Sequence, residues 1–468
     1  MTPEALVEEY RGLAHAQYAG RKVVLLGAPL AAYSETFLKS LIESGASRVL
    51  IAARGLGTGP IAAEELAERV ILDAGHASSV MEDIRATEMM MADPPDELIE
   101  ALDRWDPGGE AVVIGDGFSS VPTVAGRVVL GARPPEFVAL EDKVAIDALW
   151  DEAGVLRAPS SVVKRDVDAV LDAFARHDHG DGVVLAADAT RGWHGGAAGV
   201  RWARARADVQ PLLDQWLDVA EQVRVMPFLE GVACSIHGIV FPTGTAVFRP
   251  CEMLVFRRRD SPEFVYSGSA TLWDPSATDR SDMRGVARRT GEALRERVDY
   301  RGGFTIDGVL AADGFRPTEL NARLGAAFGQ VGGALAGMSW GSLQRGLIDR
   351  REFDHPVEEL ELVVTEAADA HRSVRAVSFG GGRRMEETEE ATLLADGEGY
   401  QVVEESAAAV GTIMVGPNPQ GYFARLGFEE GHLPVGEPAA PRVATALGAV
   451  DRHWRLGIGA LIPARAVR

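Results

Sequence analysis

Two acidic residues and an amide side chain, close together in the sequence, could hold a divalent metal ion. In the segment FTIDGVLAADGFRPTELNAR, Asp307 lies in one predicted strand, and Glu319 and Asn321 lie in the next. A turn at residues 312–314 allows antiparallel pairing, which would make the acids cross-strand neighbours. Such oxygen ligands suit Mg²⁺, which takes further ligands from phosphates, and Arg323 could bind a phosphoryl group or an oxyanion. The alternative is a purely structural network of Asp–Arg and Glu–Arg ion pairs.

A glycine-rich segment separates two predicted strands. Its sequence is GWHGGAAG, residues 192–199, and it contains Gly192, Gly195 and Gly196. Glycines let backbone N–H groups approach phosphate oxygens, so a loop of this composition can close over a polyphosphate. Many hairpin loops are rich in glycine for turn geometry alone, and that alternative stays open.

A third segment, MPFLEG at residues 226–231, joins two strand-like runs. Pro227 interrupts strand pairing, so backbone groups near Met226 and Phe228 could contact an adenine edge. A plain hinge between domains is the alternative interpretation.

Arg249 and Glu252 are charged residues in the otherwise apolar segment FRPCEMLVF. Charged side chains are costly to bury without partners. Two interpretations are therefore open, a mutual salt bridge or a pair that faces a bound substrate.

The elements that position these residues begin with a small α/β domain over residues 1–138. Two apolar runs, RKVVLLGAP and SRVLIAAR, flank the helical segment ETFLKSLIESG, and two more strands follow. The short connections predict a β-α-β unit in a parallel sheet.

A nicotinamide-dependent oxidoreductase is disfavoured, because the first turn, GAPLAAYSE, lacks the glycines that let a pyrophosphate approach.

The length of 468 residues predicts about three domains. Apolar periodicity predicts a helix over residues 140–155. Strands and helices then follow one another, with a helix expected near residues 210–223 and one strand over residues 245–259. From about residue 350 the pattern weakens. The runs ELELVVTEA and GTIMVGPNP are predicted strands, and the final segment is irregular and then helical.

Composition argues against several classes of protein. With 69 Asp and Glu against 47 Lys and Arg, the net charge of −22 repels phosphate backbones and anionic lipid headgroups. We therefore expect no nucleic-acid or membrane partner. Two cysteines without CxxC spacing, an acidic first segment and no apolar run of membrane length predict a soluble, cytoplasmic protein. Whether the chain forms a homo-oligomer is left open.

The order of these motifs resembles that of the ATP-grasp enzymes over residues 140–341. Asp142 and Lys143, the glycine loop, the strand–hinge–strand segment and the Asp…Glu-x-Asn-x-Arg run follow one another as in that family. The layout also resembles, more loosely, that of pheganomycin-type peptide ligases. The resemblance implies an α/β fold with a Rossmann-like pre-ATP-grasp domain (1–138), a two-subdomain ATP-grasp domain (139–349, lid about 158–223) and a C-terminal α+β extension (350–468).

The resemblance also implies roles for individual residues. In order of function, the matched residues are the nucleotide-contacting Lys143, the adenine-hinge residues Met226 and Phe228, the triphosphate-loop residues Gly192, Gly195 and Gly196, the metal ligands Asp307, Glu319 and Asn321, and the catalytic Arg323.

Two positions depart from the family's pattern. The second lysine of the family, expected near residues 185–186, is missing, and Arg191 or His194 of the glycine loop could supply its charge in catalysis. The ribose-binding glutamate is replaced by Ala233, with Glu230 as the nearest substitute.

The reaction implied by the resemblance is an ATP-dependent ligation. ATP activates a carboxylate as an acyl phosphate, ADP is released, and an amine completes an amide or peptide bond. The expected cofactors are ATP and Mg²⁺, and the expected partners are a small-molecule carboxylate and an amine, such as an amino acid or short peptide. Arg249 and Glu252 are the candidate substrate contacts. The missing lysine supports an alternative, a catalytically degenerate ATP-binding regulatory protein of the same fold.

Overall fold

The computed structural model describes residues 1–72, 77, 79–189, 199–216, 220–397 and 399–468. Helices and strands are mixed throughout these residues, which confirms the predicted α/β class. No helix in the described ranges is both long and apolar enough to cross a lipid bilayer.

The N-terminal part is built on a parallel sheet. Its elements are α1 Pro3–Tyr18, β1 Lys22–Leu26, α2 Glu35–Glu43, β2 Arg48–Ala53, β3 Glu68–Ile71, α3 Val80–Ala92, α4 Asp96–Trp105, β4 Val112–Ile114, β5 Thr123–Val124, β6 Arg127–Val128 and α5 Pro135–Val138. The sheet has the strand order β3-β2-β1-β4, and each of its pairings is parallel. Helix α2 joins β1 to β2, so the predicted β-α-β unit is confirmed.

The middle part contains two antiparallel sheets. Its elements are α6 Ile146–Glu152, β7 Ser161–Lys164, α7 Val167–His177, β8 Val183–Ala187, β9 Val200–Ala203, α8 Val209–Asp214, β10 Gln222–Pro227, β11 Val232–Val240, β12 Thr245–Val247, β13 Cys251–Arg258, β14 Ser261–Ala270, α9 Ala277–Val298, β15 Gly302–Ala311, β16 Gly314–Asn321, α10 Phe328–Gly332 and α11 Trp340–Ile348. Strands β7, β10, β8 and β9 pair in that order, and we call them the lid sheet.

The C-terminal part continues the other sheet of the middle part. Its elements are α12 Val357–Ala370, β17 Val374–Gly380, β18 Glu389–Asp396, β19 Gly399–Val403, β20 Gly411–Asn418, β21 Gly421–Phe428, α13 Ala440–Trp454 and β22 Ile462–Pro463. Because β17 pairs with β14, the strand order is β16-β15-β11-β13-β14-β17-β21-β20-β18-β19, with β12 beside β11 and β22 beside β13. We call this the large sheet.

The two faces of the large sheet are chemically different. On one face, Ile236 of β11 and Phe304 and Ile306 of β15 are fully buried in a core that includes Leu294 of α9. Side chains alternate between the two faces of a strand, so Thr305 and Asp307 of β15 project from the opposite face. The apolar core thus anchors the strands that carry the candidate metal ligands.

The helix predicted over residues 140–155 is shorter in the structure. A 3₁₀ turn at Ala139–Glu141 precedes it, and α6 begins only at Ile146. Between them, the Asp142 carboxylate accepts a hydrogen bond from the Val144 N–H, 3.1 Å away. An aspartate bonded to the backbone two residues ahead favours a turn over a helix. Lys143 therefore lies in a turn and does not open a helix.

Three other sequence predictions are corrected. The run ELELVVTEA belongs to helix α12, whose buried residues Leu360, Val364 and Ala368 have helical spacing. In place of the helix expected near residues 210–223, the described residues contain α8, which ends at Asp214, and the start of β10 at Gln222. The strand expected over residues 245–259 is two strands, β12 and β13, separated at residues 248–250.

Arg249 and Glu252 are not paired with each other. Arg249 is fully buried and bonds to Asp274 at 2.8 Å and Asp369 at 3.0 Å. The Glu252 carboxylate accepts hydrogen bonds from the N–H groups of Ala439 and Ala440, at 2.6 and 3.0 Å, where α13 begins. Both charges are therefore used inside the protein. The predicted mutual salt bridge is wrong. The predicted contact with a substrate is not supported either, because neither side chain lines the cleft described below.

Arg249 should therefore contribute to stability. Replacing it by Met leaves the Asp274 and Asp369 carboxylates without this cation, and we expect the free energy of unfolding to fall by about 3 kcal/mol. Urea denaturation measures the change. The matched control is Arg259→Met on an exposed residue, expected within about 0.5 kcal/mol of the native protein. Equal stability of the two variants would contradict the structural role.

Candidate active site

An open cleft of about 420 Å³ lies where the lid sheet, the large sheet and the N-terminal part meet. It is lined by Val184 and Ala186 of the lid sheet, by Asp307 and Glu319 of the large sheet, and by Phe118 of the N-terminal part. The C-terminal part also reaches the cleft, through residues of β17 and of the segment after β22. Each part of the chain thus contributes to one site.

Asp307 and Glu319 are directly paired across strands β15 and β16, as the sequence predicts. Thr305 pairs with Asn321 in the same ladder, so the three oxygen-bearing side chains share one end of the hairpin. A register shift follows at Gly308, where a Cβ atom would lie 2.5 Å from the carbonyl oxygen of Arg316. Glycine is needed at this close approach, which is typical of a β-bulge.

Asp307 is held in a polar but enclosed environment. One carboxylate oxygen accepts a hydrogen bond from the Ser235 hydroxyl, and the other accepts one from Asn321 Nδ2 at 2.9 Å. Burial raises the pKa of Asp307 to about 6, the nearby Glu319 also raises it, and the bond from Ser235 lowers it. A cation bound beside this carboxyl group would favour its ionised form.

Lys143 supplies positive charge to the same cluster. Its ammonium nitrogen lies 2.8 Å from Glu319 Oε1, and the side chain is only 4% exposed. The turn that shortens the predicted helix therefore brings Lys143 to the acid pair, across 176 residues of sequence. This contact offsets part of the repulsion between the two acids.

The donor set at this point fits Mg²⁺. Two carboxylates and one amide are hard oxygen ligands, and Mg²⁺ is usually bound by one or two carboxylates together with phosphates and waters. Within the described ranges, no cluster of three or more His, Cys, Asp or Glu side chains could form a complete protein cage for a metal. The residues suit a metal that reaches the protein together with a phosphate-bearing ligand.

Arg323 lies at the edge of the acid cluster. Its Nη2 donates to Asn321 Oδ1 at 2.8 Å, and its Nε lies 3.5 Å from Glu141. The guanidinium also stacks on the Phe118 ring, 4.3 Å from the ring centroid. Glu141 is bound in turn by Arg133 at 2.7 Å. These contacts hold the guanidinium against the cleft wall, where it can meet an anion.

The predicted hinge residues Met226 and Phe228 both line the cleft. Met226 is part of β10, and the Phe228 N–H donates to the Gly182 carbonyl at 3.1 Å. The Phe228 ring stacks on Trp202 of the lid sheet, with 4.3 Å between the ring centroids. The hinge therefore presents an aromatic and apolar surface to the cleft.

Glu230 has a different role from the one expected. Its carboxylate lies 2.9 Å from Arg257 and also accepts a hydrogen bond from the backbone N–H of Arg465, at 2.8 Å. It is not among the residues that line the cleft, whereas Ala233, at the position expected for a ribose-binding glutamate, is. The structure assigns Glu230 to the anchoring of the segment after β22, which corrects its assignment as a nucleotide ligand.

Five predicted site residues lie outside the described residues: Arg191, Gly192, His194, Gly195 and Gly196. Strands β8 and β9 do flank this glycine-rich segment, as predicted. At the position of the missing lysine, Ala186 lines the cleft with an apolar side chain.

The lid sheet is bound to the hairpin of β13 and β14. Arg204, just after β9, donates to the carbonyl oxygens of Arg258 at 2.7 Å, Arg259 at 2.9 Å and Ser261 at 2.9 Å. Arg201 and Glu263 form an ion pair at 3.2 Å between the same two elements. These bonds hold the lid sheet over the large sheet and define the opening of the cleft.

Sequence reasoning missed several residues of the site. Ser235 lies two residues after Ala233 in β11, so strict alternation along the strand would have placed both on the cleft face. Arg257, which also lines the cleft, could have been found in the same way from Met253. Nothing in the sequence around Phe118 indicates that it belongs to the site, because it contacts Arg323 from a distant part of the chain.

Comparison with known proteins identifies the fold. A scan against protein-family models gives no match, and a search of curated proteins gives none. Among solved structures, the chain is similar to carboxyaminoimidazole ribonucleotide synthase from Aspergillus clavatus complexed with ATP (TM-score 0.53, 13% identity, 92% of this chain and 98% of that chain).

Two further similar structures have the same architecture. One is the biotin carboxylase domain of the 2-oxoglutarate carboxylase from Hydrogenobacter thermophilus, in complex with MgADP, ADP and bicarbonate (TM-score 0.55, 12% identity, 95% and 91% coverage). The other is biotin carboxylase from Campylobacter jejuni (TM-score 0.55, 13% identity, 87% of each chain). The chain therefore has the ATP-grasp fold, which confirms the fold that the motifs led us to expect.

Arg204 should determine how tightly the lid sheet is held. Replacing Arg204 by Ala removes three hydrogen bonds to carbonyl groups, and we expect amide exchange in β9 to become about fivefold faster, corresponding to about 1 kcal/mol of local stability. Hydrogen exchange followed by mass spectrometry measures this.

The matched control for Arg204 is Arg206→Ala. Arg206 bonds within the lid part, to the Leu171 carbonyl, and does not reach the hairpin. Exchange rates in β9 that rise equally in both variants would show that the contacts to the hairpin do not hold the lid sheet.

Proposed function

We propose that this chain is an ADP-forming ATP-grasp ligase that joins a carboxylate to an amine. The observation that carries the proposal is the pair Asp307 and Glu319, with Asn321 beside them, at the floor of a cleft between two sheets. The ligands of similar structures support it, since one contains ATP and another contains MgADP with bicarbonate. Fold similarity at this level of identity supports a class of reaction and names no substrate.

We also propose a division of labour among the three predicted parts. Residues 139–349 would bind the nucleotide and the metal, with residues 158–223 as the lid. Residues 1–138 and 350–468 would complete the walls of the cleft, because Phe118 and Phe379 line it from those two parts.

The nucleotide base would lie at the hinge, with its phosphates directed toward the acids. Met226, Phe228 and Asp307 all line the cleft. Between them, β11 runs from near the hinge to Ser235, which pairs with Asp307. At about 3.3 Å per residue, four residues of strand span about 13 Å, a distance suited to a nucleoside triphosphate. Bound Mg²⁺ would neutralise charge on the terminal phosphates.

The proposed reaction has two steps. An oxygen of the carboxylate attacks the terminal phosphorus of ATP, the bond from phosphorus to the bridging oxygen breaks, and ADP leaves. The amine nitrogen then attacks the acyl carbon, phosphate leaves with the electron pair of the carbon–oxygen bond, and the nitrogen loses a proton. The protein would act mainly by positioning and by charge neutralisation, with Arg323 stabilising the oxyanion of the second step.

A catalytically degenerate regulatory protein of the same fold is the second candidate. One observation favours it, because the second lysine that the resemblance implies near residues 185–186 is absent and Ala186 lines the cleft there with an apolar side chain. Such a protein would bind Mg-ATP without turnover, so the two candidates differ in whether ADP forms.

Mg-ATP should stabilise the protein through the acid pair. At a concentration of about 100 Kd, a ligand specific for the folded state adds about 2.7 kcal/mol. Asp307→Asn or Glu319→Gln should remove most of the resulting rise in Tm, measured by differential scanning fluorimetry. The matched control is Asp313→Asn, in the exposed turn of the same hairpin. Full Mg-ATP stabilisation in both site variants would contradict the metal assignment.

Hydroxylamine should intercept the acyl phosphate. With a suitable acid and Mg-ATP, we expect hydroxamate and ADP in equal amounts, without the natural amine. Arg323→Ala should lower the rate by ~10²–10³, the usual effect of removing one preorganised donor. Arg316→Ala is the control, because Arg316 lies in strand β16 just before Arg323 in the chain and is paired with Asp313 in the exposed turn. Tight Mg-ATP binding without ADP formation from a broad set of acids would favour the regulatory protein.

A further inference from the structure

The part of the cleft beyond the nucleotide path is apolar. The middle of strand β13 alternates, because Leu254 and Phe256 are fully buried on the core side while Met253 and Val255 are half-buried and line the cleft. The neighbouring strand β14 adds two aromatic side chains to the same surface. We define the apolar floor as Met253, Val255, Phe264 and Tyr266.

The register of the large sheet gives the position of the apolar floor. The order β15-β11-β13-β14 separates Asp307 from β14 by three strand spacings, or about 14 Å. Val255 pairs with Tyr266 across β13 and β14, so the floor is continuous between these strands. Phe379 of β17, 37% exposed, extends the lining into the C-terminal part. A nucleotide along β11 and β15 would leave this surface open to a second ligand.

None of the four residues of the apolar floor is charged, but Arg257 lies beside it, since it pairs with Phe264 across β13 and β14. Among the described lining residues, the cations are Lys143, Arg257 and Arg323. Each bonds to a protein side chain, as Lys143 does to Glu319 and Arg257 to Glu230. An anionic group placed over the floor would therefore lose its hydration, while the cation beside the floor, Arg257, is already paired with Glu230.

We propose that the acid activated by this enzyme carries one carboxylate and an apolar tail, aliphatic or aromatic, that packs on the apolar floor. This inference rests on the proposed function, because the carboxylate must reach the terminal phosphate beside Asp307. The rest of the molecule then extends across β11 onto β13 and β14. Dicarboxylic and phosphorylated acids are poor substrates, since their second charge lies over Met253 and Tyr266.

Hexanoate and adipate test the inference, because they share a six-carbon chain and differ by one carboxylate. Binding of each acid to the Mg-ADP complex is measured by calorimetry, and ADP formation is measured with hydroxylamine. We expect hexanoate and 3-phenylpropionate to bind and to react at least about tenfold better than adipate in kcat/KM.

Met253→Arg should reverse this preference. The substitution adds a cation to the floor, so adipate should gain at least about tenfold relative to hexanoate. A gain toward a new substrate cannot result from misfolding. The control is Leu362→Arg, which adds the same charge at an exposed position outside the cleft and should leave the preference unchanged. A milder variant, Val255→Thr, keeps the shape of the floor but adds a hydroxyl group. It should weaken the binding of hexanoate and leave the weak binding of adipate as it is.

The outcomes separate this inference from the ligase proposal. Hexanoate binding without ADP formation would overturn the ligase and leave the apolar site standing. ADP formation that is equal for adipate and hexanoate would overturn the apolar floor and leave the ligase standing. Absence of binding for both hexanoate and 3-phenylpropionate would overturn the inference.

Discussion

Two carboxylates on adjacent strands, facing a cleft and partly removed from water, are the constraint around which the site is arranged. Asp307 and Glu319 repel each other, and burial adds a further penalty for Asp307. The fold offsets this with the Ser235 hydroxyl, the Asn321 amide and the Lys143 ammonium. Each comes from a different element, so the pair requires β11, β16 and the turn before α6 to be in place together.

The continuity of the large sheet gives the C-terminal part a role that its weak sequence pattern does not reveal. Strand β17 pairs with β14, and β22 pairs with β13, directly beside the cleft. Glu230 then binds the backbone of Arg465 and so ties the hinge to the end of the described chain. Because these pairings are main-chain bonds between distant segments, the walls of the cleft and the C-terminal strands form one hydrogen-bonded unit.

Local signals were sufficient for the parts of the site that lie on one hairpin or one β-α-β unit. The turn between β15 and β16 and the period of two within each strand predicted that Asp307 would face Glu319, and the structure has that pairing. The prediction of a helix over residues 140–155 was wrong at its start, because the hydrogen bond from the Val144 N–H to the Asp142 carboxylate competes with helical hydrogen bonding. Helix α12 was taken for a strand because a short apolar run fits both periods.

By itself, the sequence determined the first β-α-β unit and the acid pair, because each depends on pairing between segments close along the chain. The order of the motifs along the chain was enough for the resemblance to the ATP-grasp fold. Only the tertiary structure decided which charged residues face the cleft. Arg249, Glu252 and Glu230 look like ligands in sequence, yet each bonds to groups that are distant along the chain. Alternation divides a strand into two faces, but the face that meets the cleft is set by packing of elements that come from elsewhere in the chain.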